Sequence, residues 1–271
     1  MAKVYLVNFA TPDFYESQEK LNKNALQFGI DETVSYTFDM LKGTDFYKKN
    51  EALLQAKRGV GYFSWKPYII LEVLKKIKEG DILIYCDSGI SFKASLKEVI
   101  ERCDKNGIVI FGSTPINRQL TKRDCFVLMD CDKKEYHDAK QVMGGLNLWK
   151  NNQTSRKIVS EWLKFCEDRR VISDDNNVCG KPNFPDFVEH RWDQSVLSVL
   201  AVKYKNYIDR VGDLEYAYYD EDLKGYNSLL WEVHRQRKRK PLDWIAWKIK
   251  LMTPVSLKSR IKWFISHYIK K

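Results

Sequence analysis

The stretch Gly80-Asp81-Ile82-Leu83-Ile84-Tyr85-Cys86-Asp87-Ser88-Gly89-Ile90 constrains this chain more than any other, because an unbroken apolar run stops in it at one carboxylate. Ile82 to Tyr85 have no polar face, which fits an inner strand covered on both sides. Asp87 then falls at the carboxyl end of that strand, where open α/β sheets bind ligands. Ser88 and Gly89 let the backbone turn sharply and come close to whatever Asp87 holds. An isolated Asp-Ser-Gly is also a plain turn cap, so the role of Asp87 depends on what surrounds it.

The order of elements around this strand predicts an α/β fold. Lys3 to Phe9 reads as a short apolar strand, followed by turn chemistry from Asn8 to Asp13. A helix is expected over Glu16 to Phe28, a strand over Thr33 to Phe38 and a helix from about Thr44 to Ala56. Pro67 sits where the next helix would start, and Gly80 ends it before the central strand. Ser91 to Asp104 reads as a helix and Gly107 to Gly112 as a strand, with a right-handed crossover between the flanking strands. Thr121-Lys122-Arg123-Asp124 has capping-box spacing and should open a helix to about Met129. Gln141 to Trp149 is a strand containing Gly144-Gly145, and Thr154 to Asp168 a helix with Ile158, Trp162 and Phe165 on one face. Ser173 to Asp186 is a long polar loop of the kind that forms lids and binding loops. His190 to Val202 reads as a helix, with short strand-like segments near Tyr207 and Tyr216.

The formal charge of +10 is concentrated in one place. Glu232 to Lys271 hold 12 Lys/Arg against 2 Asp/Glu, while the remaining 231 residues carry 34 of each sign. A nucleic-acid-binding domain would spread its basic stripe over the folded body, so nucleic acid is not the expected partner. Leu257, Ile261, Phe264, Ile265 and Tyr268 recur at helical spacing beside Lys258 and Lys262, which predicts a basic amphipathic helix; its concentrated charge favours an anionic membrane surface, and the rival is packing on the catalytic body or a second subunit. The expected organisation is a catalytic region over residues 1–240 and this tail over 241–271. No run reaches membrane-spanning length and the N-terminus lacks a signal-peptide pattern, so a cytoplasmic, peripherally membrane-bound protein is expected. The six cysteines form no C-x-x-C pair and should be reduced and structural.

Asp87 at a strand end, the Gly-Gly strand and following helix from Met143 to Asn151, Asp193-Gln194-Ser195, and then His234 occur in an order that resembles nucleotide-sugar glycosyltransferases of the GT-A fold. The likeness is to retaining enzymes of the family 8 and family 34 kind, and it runs from about Lys3 to Arg239. It implies a Rossmann-like mixed sheet flanked by helices. It also implies transfer of a hexose from a nucleotide-diphosphate sugar to a saccharide or lipid-linked saccharide, as in bacterial surface-polysaccharide assembly.

By that resemblance, Asn8, Phe9, Ala10 and Thr11 would cradle the nucleoside. Asp87 would be the first carboxylate of an Asp-x-Asp metal motif and His234 the C-terminal metal ligand, for Mn²⁺ or Mg²⁺. Here Gly89 stands in place of the second carboxylate. The alternative is that Asp87, with Ser88, only hydrogen-bonds ribose or sugar while Lys66, Lys122, Arg123 or Arg235 neutralises the diphosphate. Asp193 and Gln194 match the polar groups near the anomeric carbon, with His190 one helical turn earlier on the same face. Gly144 and Gly145 would admit the sugar, since Gly weakens a strand unless something approaches closely. Each feature has a plainer explanation: a local Asp193–Arg191 ion pair, two packing glycines, or a helix start at Trp65-Lys66-Pro67 with a buried indole. The rival to an enzyme is a non-catalytic polyanion-binding protein working through its basic tail. A Rossmann dinucleotide enzyme is disfavoured, because no G-x-G-x-x-G follows the first strand.

Overall fold

A computed structural model describes residues 2–56, 58–213 and 231–233. The chain begins with β1 (Val4–Ala10), α1 (Tyr15–Ala25), β2 (Glu32–Thr37), α2 (Phe38–Lys42) and α3 (Asp45–Leu54). A tight turn, α4 (Gly59–Tyr62), leads into α5 (Trp65–Lys76), β3 (Ile82–Cys86), β4 (Ile90–Phe92), α6 (Lys97–Asn106) and β5 (Ile108–Ile116). Three short helices follow: α7 (Asn117–Leu120), α8 (Arg123–Leu128) and α9 (Lys134–Asp138). Then come β6 (Lys140–Lys150), α10 (Gln153–Cys166), α11 (Arg169–Ile172), α12 (Trp192–Lys203), β7 (Asp209–Asp213) and β8 (Trp231–Val233).

The fold is α/β, as the element order predicts. Six strands form a mixed sheet in the order β2-β1-β3-β6-β5-β7, and β4 and β8 form a separate two-stranded sheet. β1 is parallel to β2 and to β3, whereas β6 runs antiparallel between β3 and β5. All five residues of β3 are buried. Its side chains alternate between two cores, as the two-residue period of a strand requires. Leu83 and Tyr85 join the core built with α5, α10 and α12, while Ile82, Ile84 and Cys86 join the one built with α1 and α6. The inner position of β3 fixes Asp87 at the sheet's edge of function, just beyond Cys86.

Several local expectations give way to longer-range pairing. Ser91 does not start a helix: Ile90–Phe92 are a strand because Ile90, Ser91 and Phe92 pair with Val233, Glu232 and Trp231. β3 and β5 flank β6 and both run antiparallel to it. The Thr121 capping box is absent. Lys122 is the N-cap of α8 with no side-chain cap bond, the Thr121 hydroxyl accepts from Gln141, and Asp124 accepts from the Val178 and Cys179 amides instead. His190 precedes α12, which begins at Trp192. The expected strand near Tyr216 and the amphipathic tail, with His234 and Arg235, lie outside the described residues.

The backbone from Gly59 to Phe63 is left-handed at every residue, with φ of 56, 52, 78, 58 and 63°. L-residues visit this region singly, at roughly 1–2 kcal/mol each; here Val60, Tyr62 and Phe63 do so together. The two glycines are needed for space as well as φ. A Cβ on Gly59 would lie 2.4 Å from the Phe63 ring, and one on Gly61 would lie 2.8 Å from Leu54 Cα. Backbone bonds from Tyr62 to Arg58 and from Phe63 to Gly59 close the turn, and the buried Trp65 indole donates to Gly59 O at 3.0 Å.

Candidate active site

Lys66, one residue into α5, sends its ammonium beneath the end of β3. Its side chain is 4% exposed, and Nζ lies 2.7 Å from Asp193 Oδ2, 3.6 Å from Asp87 Oδ1 and 3.1 Å from Gly144 O. The Phe63 and Tyr85 rings flank it at 5.2 and 5.0 Å. A buried ammonium is costly unless paired and hydrogen-bonded, and this one has two carboxylates and a carbonyl. Burial works against its charge, but Asp193 and Asp87 outweigh that and hold its pKa above the ordinary lysine value.

The two carboxylates differ in exposure. The Asp193 side chain is 4% exposed and that of Asp87 39%, so Asp87 is the more open of the two. Burial drives the Asp193 pKa up to about 6, with Lys66 pulling against it and Asp87 adding to it. The ion-pair partner of Asp193 is thus Lys66, from another element, and not its neighbour Arg191. The Asp87 amide donates to Gly145 O at 2.8 Å, and Oδ1 accepts from the Tyr85 hydroxyl at 2.6 Å.

Gly144 and Gly145 on β6 form the floor between these groups. A Cβ on Gly145 would stand 2.7 Å from Asp87 Oδ2, and one on Gly144 3.1 Å from Asp193 Oδ2 and 3.2 Å from Gln194 Cβ. The groups that come close to these glycines are thus the Asp87, Asp193 and Gln194 side chains of the protein itself. Gly145→Ala should displace the Asp87 carboxylate and lower turnover about a hundredfold, the scale of an ångström-sized misplacement, while circular dichroism stays native. Gln194 is held by the network around β6: its amide donates to Gln141 Oε1 at 2.9 Å, and Gln141 donates to Thr121 Oγ1 at 3.0 Å.

The structure thus gathers Lys66, Asp87, Ser88, Gly144, Gly145, Asp193 and Gln194 at one end of the sheet. Asn8 is near in sequence order but turned inward, bonded to Asn22 and Gln18. Phe9 stacks on Trp65 with ring centroids 3.9 Å apart, and Ala10 is buried. Thr11 lines a groove of about 270 Å³ with Phe38, Gln55 and Val60. Lys122, Arg123 and His190 form a second group that holds the 173–191 loop. Lys122 Nζ donates to Asp175 O and lies 3.4 Å from Asp124, and Arg123 pairs with Asp132 and stacks on Phe184. His190 accepts from the Lys122 amide through Nδ1 and meets Val171 O through Nε2, and burial with Lys122 nearby lowers its pKa to about 3. His190 is therefore a neutral brace and does not share a face with Asp193.

Two contributors escape the sequence reading. Tyr85 looks like one more apolar strand residue, though its two-residue offset from Asp87 places both on one side of the strand. Gln141 gives no local signal, since its partner Gln194 is 53 residues away.

Protonation of Asp193 should set the acid limb of the activity. Turnover should fall as pH drops through about 6, where the carboxylate paired with Lys66 is lost. The stability effect has the opposite sign. With the folded pKa raised above the ordinary aspartate value, the carboxyl favours the fold at low pH, and that contribution is lost as pH rises through about 6. A pH–rate profile alongside thermal denaturation from pH 4 to 8 measures both.

No family model and no curated protein matches the sequence. Solved structures similar to this chain include the apo form of mouse xyloside xylosyltransferase 1, at 11% identity over 78% of this chain and 85% of that one, with TM-score 0.44. Another is the apo bifunctional glycosyltransferase WbbM, at 11% identity over 78% of this chain and 39% of that one, with TM-score 0.45. A third is the galactosyltransferase LgtC in complex with donor and acceptor sugar analogues, at 14% identity over 76% and 73% of the two chains, with TM-score 0.40.

Proposed function

We propose that this chain is a glycosyltransferase that moves a hexose from a nucleotide-diphosphate sugar to a saccharide or lipid-linked saccharide acceptor, with retention of anomeric configuration. One observation carries the reading: a buried ammonium, Lys66, locked to buried Asp193 and facing half-exposed Asp87 over a glycine floor. The two glycines let the Asp87 and Asp193 carboxylates pack closely over β6, and Asp87 is the most open member of this charged group. Rigid charges placed before the reaction stabilise a transition state without reorganising. The groove with Thr11, Phe38 and Val60 has the apolar walls a nucleoside base needs, at the carboxyl ends of β1 and β2. In this arrangement Asp87 hydrogen-bonds donor hydroxyls, and the Asp193 and Gln194 side chains orient the sugar. Lys66 fixes both carboxylates and contributes positive potential as the diphosphate departs.

The Mn²⁺ or Mg²⁺ that the resemblance implies needs several oxygen ligands. Among the described residues no three His, Cys, Asp or Glu side chains form such a cluster, and Asp87 Oδ1 is already engaged by Tyr85. The described residues therefore do not by themselves fit a divalent cation; His234, the expected second ligand, lies outside them. The basic tail, also outside them, is proposed as the contact with the anionic inner face of the cell membrane, where such polysaccharides are assembled.

Nucleoside diphosphates should raise the melting temperature, because a ligand that binds only the native state at a hundred times its Kd adds about 2.7 kcal/mol. A thermal-shift series with UDP, GDP, CDP and dTDP checks this. If none of them stabilises the protein, with or without Mn²⁺, the transferase reading fails in favour of a non-catalytic one.

A further inference from the structure

A second cleft, of about 360 Å³, opens beside the first turn of α12 and shares no lining residue with the groove at Thr11. Its walls come from the 173–191 loop and from Arg58, and include Asp174, Asn176, Asn177, Glu189 and Trp192. Its size falls within the roughly 300–1,000 Å³ of small-molecule sites. Trp192 is the residue immediately before Asp193, and its backbone is held at φ 47°, a conformation an aromatic L-residue keeps only when its surroundings impose it. Three contacts impose it. The Arg58 guanidinium lies 4.8 Å from the indole centroid, the indole nitrogen donates to Asp174 at 3.0 Å, and the Phe63 ring lies 5.9 Å away. Phe63 in turn flanks Lys66.

We propose that this cleft is the subsite for a neutral saccharide acceptor, with Trp192 as its platform; the proposal rests on the transferase reading and deepens it. The lining holds three carboxylates, Asp174, Asp175 and Glu189, against the two cations Arg58 and Lys122, and Lys122 already faces Asp124 and Asp175 O. An anionic sugar would therefore meet an excess of carboxylates. Amides, carboxylate oxygens and an aromatic face suit a ligand with many hydroxyls and an apolar ring face. Location decides between donor and acceptor. The donor would span from the groove at Thr11 to Asp87, and the cleft is lined by Trp192, the residue before Asp193, and by none of the residues of that groove. An acceptor hydroxyl oxygen would form the new bond to the anomeric carbon as the anomeric carbon–phosphate oxygen bond breaks. The electron pair leaves with the diphosphate, which also takes the hydroxyl proton.

The test measures binding by saturation-transfer NMR and calorimetry, with UDP or GDP present, using lactose, maltose and cellobiose as neutral probes and sialyllactose as the anionic one. Trp192→Ala and Asn176→Ala are each expected to weaken neutral-probe binding about tenfold or more, and to raise the acceptor KM far more than the donor KM. Trp192→Phe should restore much of the loss. Asn176 is exposed, so its variant separates the cleft's role from any folding defect at Trp192. Unchanged saccharide affinity in Asn176→Ala and Trp192→Ala, no binding of any neutral probe to the wild type, or preferential binding of sialyllactose would overturn the inference. Failure of nucleoside diphosphates to bind the wild type is a separate outcome, which defeats the transferase reading and this subsite with it.

Discussion

Lys66→Met is expected to destabilise the protein by about 3–5 kcal/mol, because it leaves Asp193 buried with its charge uncompensated. Asp193 is then expected to bind a proton over a wider pH range, so the loss should be smaller at pH 5 than at pH 8. Urea denaturation at the two pH values measures this. The double variant Lys66→Met/Asp193→Leu should recover most of the stability, since removing both members of a buried pair is often neutral. It should recover none of the transfer activity. That separation distinguishes a pair kept for the site from one kept for the fold, and recovery of activity in the double variant would remove Lys66 and Asp193 from the mechanism.

Asp87→Asn should reduce transfer by roughly a hundred- to a thousandfold, the range for losing one group aligned to a developing charge. The substitution keeps shape and removes charge. Stability should change by less than about 1 kcal/mol, because Asp87 is partly solvated and Lys66 retains its closer contact with Asp193. Nucleotide affinity and turnover measured together give the result. A variant as fast as wild type would mean that the chemistry lies elsewhere.

The parts of the site that could be seen in the sequence are those whose signal is local. Asp87 ends an apolar run, Gly144-Gly145 interrupt a strand, Asp193-Gln194 begin a helix, and Lys66 stands beside a proline at a helix start. Each is visible within a few residues, and the fold brings all of them together. What was hidden depends on partners far along the chain. Ile90 to Phe92 have ordinary helix-compatible composition and become a strand only by pairing with Trp231–Val233. Lys122 and Arg123 look like anion ligands in isolation, yet in the fold Lys122 lies against Asp124 and the Asp175 carbonyl, and Arg123 against Asp132. His190 fits a helical period with Asp193, but the left-handed turn at Trp192 breaks that period before the helix begins.

The left-handed turn bears on how a donor and an acceptor would affect each other's binding. Val60 lines the groove at Thr11, and Arg58, whose carbonyl closes the same turn, lines the cleft at Trp192. Residues of this one turn thus line both spaces. Binding free energies are linked reciprocally, so whatever factor one occupant applies to the affinity of the other is returned in full. A donor that tightens the turn would sharpen the cleft for its acceptor, and an acceptor bound first would draw in the donor by an equal ratio. Whichever ligand is the more abundant would then govern the apparent affinity for the scarcer one.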